Sequence, residues 1–195
     1  MPDLVGGWEE RKLGTLAEVI TKGTTPKDKS GHGEINFIKV ENIDSSSGEI
    51  KITNRISLEE HENYLKRSQL KKNDILFSIA GTLGRVSIVP ESILPANTNQ
   101  ALAIVRLKEG VLEYITTTLK GNVVKNYIRR NPTIGAQPNL SLAQVADLDI
   151  AYPSEIEQTK IGSFFTQLDK LIKLQQREIG KLQNVKKALL GKMFV

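Results

Sequence analysis

The stretch that decides the fold is residues 153–195, PSEIEQTKIGSFFTQLDKLIKLQQREIGKLQNVKKALLGKMFV. Ser154 and Glu157 have capping-box spacing, in which the hydroxyl and the carboxylate each bind a backbone N–H that the helix leaves without a partner. Beyond them, apolar residues recur at alternating intervals of four and three residues, interrupted at Gln175 and Lys186. This spacing places them on one helix face. The sequence therefore predicts one long amphipathic helix from residue 154 to the last residue.

An apolar helix face of this length requires another helix to cover it. Additional apolar residues at Phe164, Leu171, Val185 and Leu190 widen the face beyond a two-stranded seam, which favours a helical bundle over a simple coiled coil. The residues predicted to contact a second copy or another partner helix are Ile161, Phe165, Leu168, Ile172, Ile179, Leu182 and Leu189.

Composition excludes several classes of protein. With 195 residues, 39% of them apolar, the chain predicts one globular domain of about 150 residues followed by the helix. The chain has no cysteine, which excludes disulfides and thiolate metal sites. It has neither an apolar run of twenty residues nor the basic and apolar regions of a signal peptide. We therefore expect a cytoplasmic protein that does not bind membranes.

The positive charge is concentrated on the predicted helix. Of the net +5, residues 154–195 contribute +4, from eight Lys/Arg and four Asp/Glu, and residues 1–153 contribute +1. A basic chain invites a nucleic-acid interpretation. A solvated helix face is the simpler explanation, however, so charge alone does not establish DNA binding.

The first 153 residues predict a strand-rich α+β domain, because short apolar runs alternate with turn residues. The polar, glycine-punctuated segment 21–33 is long for a simple connection and is typical of a binding loop. Residues 111–130 predict one helix interrupted near Gly121, or two short helices. The predicted strands are 35–40, 50–53, 74–80, 85–89, 101–107 and 148–152.

The sequence does not assemble a catalytic site. Its two histidines, His32 and His61, lack the spacing of a metal motif. The segment Gly81 to Arg85 has glycines that could admit an anion and an arginine that could pair with it. It lacks the Lys-Ser/Thr ending of a P-loop and joins two predicted strands, so a strand-connecting turn is favoured over nucleotide binding. We predict no catalytic residue and no metal site.

An ordered series of short motifs runs along the sequence. Each motif is weak alone, but their order and spacing span nearly the whole chain. They are Trp8-Glu9-Glu10-Arg11-Lys12-Leu13-Gly14, Gly23-Thr24-Thr25-Pro26, Ile35-Asn36-Phe37-Ile38-Lys39-Val40 with Asn42-Ile43, Lys72-Asn73-Asp74-Ile75-Leu76-Phe77-Ser78 with Gly81-Thr82-Leu83-Gly84, Asn97-Thr98-Asn99-Gln100, Gly135-Ala136-Gln137-Pro138-Asn139-Leu140-Ser141, Pro153, Glu157-Gln158-Thr159-Lys160-Ile161 and Leu168-Asp169-Lys170-Leu171-Ile172.

Taken together, these motifs resemble the specificity subunit of type I restriction-modification enzymes. The resemblance implies a DNA-binding target-recognition domain at 1–153 and a conserved-region helix at 154–195 that binds a second copy and methyltransferase subunits. It also implies a non-catalytic protein that binds a bipartite site on double-stranded DNA. Partner subunits would use S-adenosylmethionine to methylate adenine N6. A motor-nuclease subunit, where present, would use ATP and Mg²⁺ for restriction. The chain itself would bind no cofactor.

Members of this family usually contain two recognition domains and two long helices, whereas this chain contains one of each. We therefore expect an isologous homodimer that recognises a symmetric, bipartite site, its helices forming the spacer. Three alternatives remain open: pairing with a different half-subunit, a truncated allele, or an excised piece of a longer protein.

Family membership does not identify the residues that contact bases. Lys and Arg can bind phosphates or guanine, and Asn and Gln can bind adenine. For any single residue, a turn-capping or solvated role remains the simpler explanation. The candidates chosen on this chemistry are Lys22, Thr24, Thr25, Lys27, Lys29, Arg85, Asn97, Asn99, Gln100, Arg129, Arg130, Gln137 and Asn139.

Two rival functions predict different behaviour. A truncated or decoy specificity subunit would bind its protein partners through the helix without the salt-dependent DNA affinity of a phosphate-binding protein. A nucleotide-binding protein would bind nucleotide through Gly81 to Arg85 and lose that binding when Arg85 is substituted.

Overall fold

A computed structural model describes residues 7–131 and 139–193 of the chain. It is an α+β domain followed by one long helix, as the sequence predicts. The elements are β1 (Glu9–Lys12), α1 (Leu13–Leu16), β2 (Ala17–Lys22), β3 (Ile35–Ile38), β4 (Asn54–Ile56), α2 (Leu58–Glu62), β5 (Ile75–Ser78), β6 (Val86–Ile88), β7 (Ala96–Thr98), β8 (Leu102–Leu107), α3 (Leu112–Lys120), α4 (Val123–Arg130), α5 (Leu142–Ala146), β9 (Asp149–Tyr152) and α6 (Glu155–Met193).

Three small sheets form the domain. Strands β2, β8, β5 and β6 make an antiparallel sheet in that order, and β1 pairs antiparallel with β9. The third sheet has the order β4-β3-β7, with β3 antiparallel to β4 and parallel to β7. The parallel pair opposes Phe37 to Asn97 and Ile38 to Thr98. Residues about sixty positions apart in sequence therefore lie side by side.

Two apolar layers hold these sheets together. The larger core contains Phe77, Ile115 and Leu148, which pack between the four-stranded sheet and helices α1, α3 and α5. A second core lies on the other face of that sheet, around Ile38, Leu76 and Ile104. Alternate residues of β5 and β8 enter opposite cores, as the two-residue period of a strand requires. This sheet therefore supports the small sheet that contains β3 and β7.

The predicted strands are confirmed in five of six cases, each within a few residues of the predicted bounds. The prediction of a strand at 50–53 is wrong, because Ile50 makes only an isolated bridge to Ile43 and the strand begins at Asn54. The predicted interruption near Gly121 is confirmed, since α3 ends at Lys120 and α4 begins at Val123. None of the helices in residues 7–131 and 139–193 is long and apolar enough to span a membrane.

The start of α6 forms the predicted capping box. The Ser154 backbone N–H donates to Glu157 Oε2 at 3.1 Å, and the Glu157 N–H donates to Ser154 Oγ at 3.4 Å. The Ser154 hydroxyl also donates to Glu157 Oε2, at 2.7 Å, and this bond together with the one from the Ser154 N–H holds the pKa of Glu157 below its ordinary value. Helix α6 is 39 residues long, or about 60 Å at ~1.5 Å per residue.

The first half of α6 packs on its own domain, mainly against α3. Gly162 is buried there, and a Cβ at this position would lie 2.8 Å from the Tyr114 backbone nitrogen. Helix α3 of the same chain therefore approaches α6 closely at Gly162. Two ion pairs flank the contact, Lys120 to Asp169 at 3.1 Å and Lys173 to Glu49 at 2.9 Å.

Candidate nucleic-acid interface

A groove runs between the first long loop, residues 23–34, and strand β4. We call it the loop groove; its volume is about 330 Å³. Its floor includes Phe37 of β3, and its walls come from the loop, from β4 and from the segment that follows β7. The lining residues are Thr25, Pro26, Asp28, Lys29, Gly31, Phe37, Lys39, Asn54, Arg55, Ile56, Asn99 and Gln100.

Backbone contacts at both ends fix this loop. At its start, Gly23 packs so closely on the end of β7 that a Cβ would lie 2.0 Å from the Thr98 carbonyl oxygen. The next residue, Thr24, donates its N–H to the same carbonyl at 3.1 Å. At its other end, the Gly31 carbonyl accepts from the Arg55 N–H at 2.9 Å. The loop is therefore held in place by main-chain hydrogen bonds that do not depend on the side chains in the groove.

The loop groove carries a positive excess of charge. Lys29, Lys39 and Arg55 line it, against the single acidic residue Asp28. The Asp28 carboxylate accepts from the N–H and hydroxyl of Ser30, which lowers its pKa and keeps it charged. Guanidinium and ammonium groups bind phosphates and guanine edges. The groove therefore has the charge that a polyanion requires.

Amides and hydroxyls in the same groove supply further hydrogen-bonding groups. Gln100 lies in contact with Thr25, whose hydroxyl donates to Gln100 Oε1. Asn99 and Asn54 line the groove beside them. Side-chain amides bind adenine bidentately through N6 and N7. The groove thus combines cations with groups able to read base edges.

A second groove of about 340 Å³ lies next to the first and shares Asn99 with it. We call it the hairpin groove, because the turn between β5 and β6 lines it through Gly81 and Thr82. Arg85 also lines it, but its Nη1 donates to the carbonyl oxygens of Ile43 at 2.8 Å and Val40 at 3.3 Å. Arg85 therefore joins the hairpin to residues 40–43, and the segment 81–85 is a strand-connecting turn.

Eight predicted contact residues lie in or beside these two grooves. Lys22, Thr24 and Lys27 belong to the strand end and loop that border the loop groove, and the Lys27 ammonium lies 4.6 Å from the centre of the Tyr64 ring. The four that line a groove directly, besides Arg85, are Thr25, Lys29, Asn99 and Gln100. The structure therefore brings most of the predicted set to one face of the domain.

Asn97 is not on that surface. It is fully buried, and its side-chain N–H₂ donates to the Leu65 carbonyl oxygen at 2.9 Å and to Ser68 Oγ at 3.0 Å. His61 Nδ1 contacts its side-chain oxygen. The prediction of a base contact is corrected here, because the amide of Asn97 is used inside the domain. Asn97 supports the segment that carries Asn99 and Gln100.

Three other candidates lie elsewhere and one is outside the described residues. Arg129 and Arg130 are in the last turn of α4, where Arg130 Nη1 donates to Asp149 Oδ2 at 2.9 Å. Asn139 is exposed and precedes Leu140, whose N–H donates to the Ile79 carbonyl oxygen at 2.9 Å. Gln137 lies outside the described residues. The two arginines therefore belong to the surface near β9 and not to the loop groove.

The sequence interpretation missed Lys39, Asn54 and Arg55. They line the loop groove although they lie in or beside strands and not in the long loop. Arg55 stands between Asn54 and the buried Ile56, so the two-residue alternation of a strand could have placed its side chain on the surface. The pairing that brings the strand to the loop was not visible in the sequence.

Helix α6 presents opposite faces to its domain and to solvent. Gln158, Gly162, Asp169 and Lys173 face the domain, through hydrogen bonds, close packing or ion pairs. Successive residues turn by about 100°, which places most of the large apolar side chains away from the face that contacts the domain. This apolar stripe consists of Phe164, Phe165, Leu168, Leu171, Ile172, Ile179, Leu182, Val185, Leu189 and Leu190, all exposed.

The apolar stripe continues along the first half of α6, which packs on the domain, and along the second half, which is exposed. Phe164 is 57% exposed although it lies only two residues from buried Gly162, and Leu182 is 69% exposed. Ile161 is the exception among the predicted partner contacts, because it packs against the main core. From Leu174 to Met193 every residue except Gly180 is exposed. An exposed apolar surface of this extent on a helix indicates a protein-binding site.

The residues that the structure describes contain no group of three or more His, Asp or Glu side chains close enough to hold a metal ion. The polar grooves and the exposed helix form two separate surfaces, one with an excess of positive charge and one apolar, an arrangement typical of a binding protein. The family described as "Type I restriction modification DNA specificity domain" matches residues 6–184. The chain belongs to this family.

Individual relatives agree with this assignment. The chain is 28% identical over 168 residues to the type I restriction enzyme EcoBI specificity subunit of Escherichia coli, a match that covers 82% of this chain and 35% of that protein. It is 27% identical to the MjaIX specificity subunit of Methanocaldococcus jannaschii over 96% of this chain and 44% of the relative. The chain thus spans less than half the length of these relatives.

Solved structures show the same fold. The HsdS subunit from Thermoanaerobacter tengcongensis matches with a TM-score of 0.68 at 17% identity, covering 95% of this chain and 48% of that one. The type I restriction-modification S subunit from M. genitalium matches with a TM-score of 0.63 at 15% identity, over 100% and 47% of the two chains. The predicted family and the predicted pairing of one domain with one long helix are confirmed.

Proposed function

We propose that this chain reads one part of a bipartite target on double-stranded DNA and directs partner subunits to methylate adenine N6 there. The main support for this proposal is the composition of the loop groove. It brings together three cationic side chains and two amide side chains: Lys29, Lys39 and Arg55, and Asn99 and Gln100. Cations position a protein on the phosphate backbone, and amides discriminate between base edges. The relatives' printed names, all specificity subunits, support the same role.

The loop groove and the apolar stripe have different roles in this proposal. We assign DNA recognition to residues 1–153 and the binding of other subunits to residues 154–195. The polar face of α6 fixes the helix to its own domain, which leaves the apolar stripe for a partner. The chain acts in the cytoplasm without catalytic residues or a cofactor of its own. Methyltransferase subunits supply S-adenosylmethionine chemistry, and a motor-nuclease subunit, where present, uses ATP and Mg²⁺.

A second copy of this chain is the partner that we propose for part of the stripe. Two copies related by a twofold axis present two recognition domains, and α6 is long enough, at about 60 Å, to hold these domains on separate half-sites. The stripe is wider than one helix covers, which leaves room for methyltransferase subunits. A different half-subunit would satisfy the same apolar surface, and it would give an asymmetric target instead of a palindrome.

Sequencing of DNA bound by the purified complex tests this function. The chain is co-expressed with a methyltransferase subunit, and the complex is mixed with random-sequence duplexes at increasing salt. We expect enrichment of a bipartite motif and an affinity that falls steeply with salt, because bound phosphates release counterions. A Lys39→Ala/Arg55→Ala variant should lose the enrichment, and the matched Arg130→Ala variant should keep it. A complex that forms but enriches no sequence would support the decoy function.

A further inference from the structure

Glu60 of α2 binds the backbone of the long loop. Its Oε1 accepts from the Lys27 N–H at 2.6 Å and from the Asp28 N–H at 3.2 Å. These two amides lie between Thr25 and Lys29, which both line the loop groove. Because the acceptor is a charged carboxylate, these hydrogen bonds are stronger than those between neutral groups. A single side chain therefore fixes the middle of the loop.

The position of Glu60 in its helix makes this contact unexpected. In the part of the chain that the structure describes, three helices follow a Ser that has Glu or Gln three residues later, at Ser57, Ser141 and Ser154. In the last two, the Gln144 and Glu157 side chains return to the backbone N–H of the capping serine, at 2.8 and 3.1 Å. Glu60 has the same position relative to Ser57 but directs its carboxylate to the loop. The usual local partner is replaced by one 33 residues away.

The loop supplies a compensating contact to the helix. Glu34, at the end of the loop, accepts through Oε2 from the N–H of Leu58, the first residue of α2, at 3.3 Å. The contacts are thus reciprocal: a carboxylate of the helix accepts hydrogen bonds from the loop backbone, and a carboxylate of the loop accepts one from the helix backbone. The neighbouring residue His61 contacts Asn97, which supports the segment of Asn99 and Gln100. One turn of α2 therefore reaches both walls of the loop groove.

We infer that Glu60 is a positioning residue for DNA sequence recognition, which holds the loop in the conformation that reads bases and itself touches no base. This inference rests on the function proposed above. A carboxylate beside DNA repels phosphates, so Glu60 lowers affinity for every sequence to a small extent. Its benefit is selectivity, because a fixed loop presents Thr25 and Lys29 in one arrangement.

Three variants distinguish the positioning of the loop by Glu60 from the effect of its negative charge. Glu60→Ala removes the acceptor and the charge, and Glu60→Gln removes the charge but keeps an oxygen for the two amides. Glu62→Ala is the matched control, since Glu62 is an exposed carboxylate on the same helix. Each is purified with the methyltransferase subunit. The ratio of affinities for the enriched motif and for random duplex is then measured, together with amide hydrogen exchange at Lys27 and Asp28.

We expect Glu60→Ala to lower the affinity ratio by about tenfold, because the loop samples other arrangements. Exchange at the Lys27 and Asp28 amides should become about tenfold faster. Glu60→Gln should retain most of the ratio, and Glu62→Ala should bind all duplexes slightly more tightly at an unchanged ratio. An unchanged ratio in Glu60→Ala, or an equal loss in Glu62→Ala, would overturn the inference. If the wild-type complex prefers no sequence, the proposed function fails, and amide exchange still tests whether Glu60 fixes the loop.

Discussion

The loop groove and the apolar stripe are built on opposite physical principles. The groove is polar, and its parts come from segments far apart in the chain that main-chain hydrogen bonds hold together, as between Thr24 and Thr98. The stripe is apolar and comes from one continuous helix whose other face is fixed to the domain. A surface that distinguishes sequences requires precise placement of polar groups, whereas one that assembles subunits requires exposed apolar area. The two surfaces should therefore fail separately when residues are substituted.

The largest effect is expected in the stripe. Leu182→Asp places a carboxylate where a partner helix would bury an apolar side chain, and should weaken assembly by about 100-fold, or ~3 kcal/mol. Analytical ultracentrifugation measures the change. Asn184→Asp is the matched control, because it adds the same charge on the polar side of the helix. Equal assembly of the two variants would show that the stripe is not the interface.

The next largest effect is expected where α6 packs closely on α3, at Gly162. In Gly162→Ala, the new methyl group would lie 2.8 Å from the Tyr114 backbone nitrogen and 2.9 Å from Glu113 Cβ. Such overpacking should lower the free energy of unfolding by about 2 kcal/mol, measured by urea denaturation. At Gly180 no atom lies within 4 Å of the added carbon, so Gly180→Ala should stabilise the helix by up to about 1 kcal/mol. A Gly162→Ala protein as stable as the wild type would contradict close packing on α3.

A smaller effect is expected in the groove. Arg55→Ala should weaken binding of the enriched DNA motif by ~1.5 kcal/mol, or about tenfold. If Arg55 contacts a base, the preference at one position relaxes; if it contacts a phosphate, binding of all sequences weakens similarly. Fluorescence anisotropy with motif and random duplexes distinguishes the two. Arg130→Ala, outside the groove, should leave the motif affinity unchanged, and a loss equal to that of Arg55→Ala would contradict the assignment of the interface.

The smallest effect is a pH dependence of the loop that contacts α6. Asp44 accepts hydrogen bonds from the backbone and hydroxyl groups of Ser46 and Ser47, which hold its pKa well below the ordinary 3.8. A carboxylate whose pKa is lower in the folded state than in the unfolded state stabilises the fold at pH values above its unfolded-state pKa. This stabilisation is lost as the pH falls towards its folded-state pKa. Asp44→Asn keeps an acceptor but does not titrate. The difference in unfolding free energy between wild type and variant should be constant above pH 3.8 and shrink below it; a constant difference throughout would exclude this role.

The stripe and the groove also differed in how well the sequence predicted them. The start of α6 and its course as far as Met193 followed from the capping box and the apolar period, because both are local properties of the chain; the predicted last two residues lie outside the described residues. The break between α3 and α4 and the turn at Gly81 to Gly84 were predicted for the same reason. Strands β1, β2, β4 and β7 were missed. Strand β1 pairs with β9 about 140 residues away, and such pairing leaves little trace in a short polar strand.

Prediction of single groove residues from the sequence was limited for the same reason, because their placement depends on strand pairing. Thr25, Lys29, Asn99 and Gln100 were predicted from chemistry and lie together in the structure. Asn97 has the same chemistry as Asn99, two positions later, but β7 directs it into the interior, where Leu65 and Ser68 bind it. Which of two asparagines faces the groove depends on the pairing of β3 with β7, and no local pattern determines that pairing.

The most direct test of the account is single-molecule mapping of N6-methyladenine in cells that co-express this chain with its methyltransferase subunit, with the methyltransferase alone as control. We expect a bipartite palindromic motif with the wild-type chain, a relaxed or weakened motif with Arg55→Ala, and no new methylation with Leu182→Asp. An asymmetric motif would identify a different half-subunit as the partner. No new methylation by the wild-type chain in a confirmed complex, or the same motif with all three chains, would contradict the division of recognition and assembly between the loop groove and the apolar stripe.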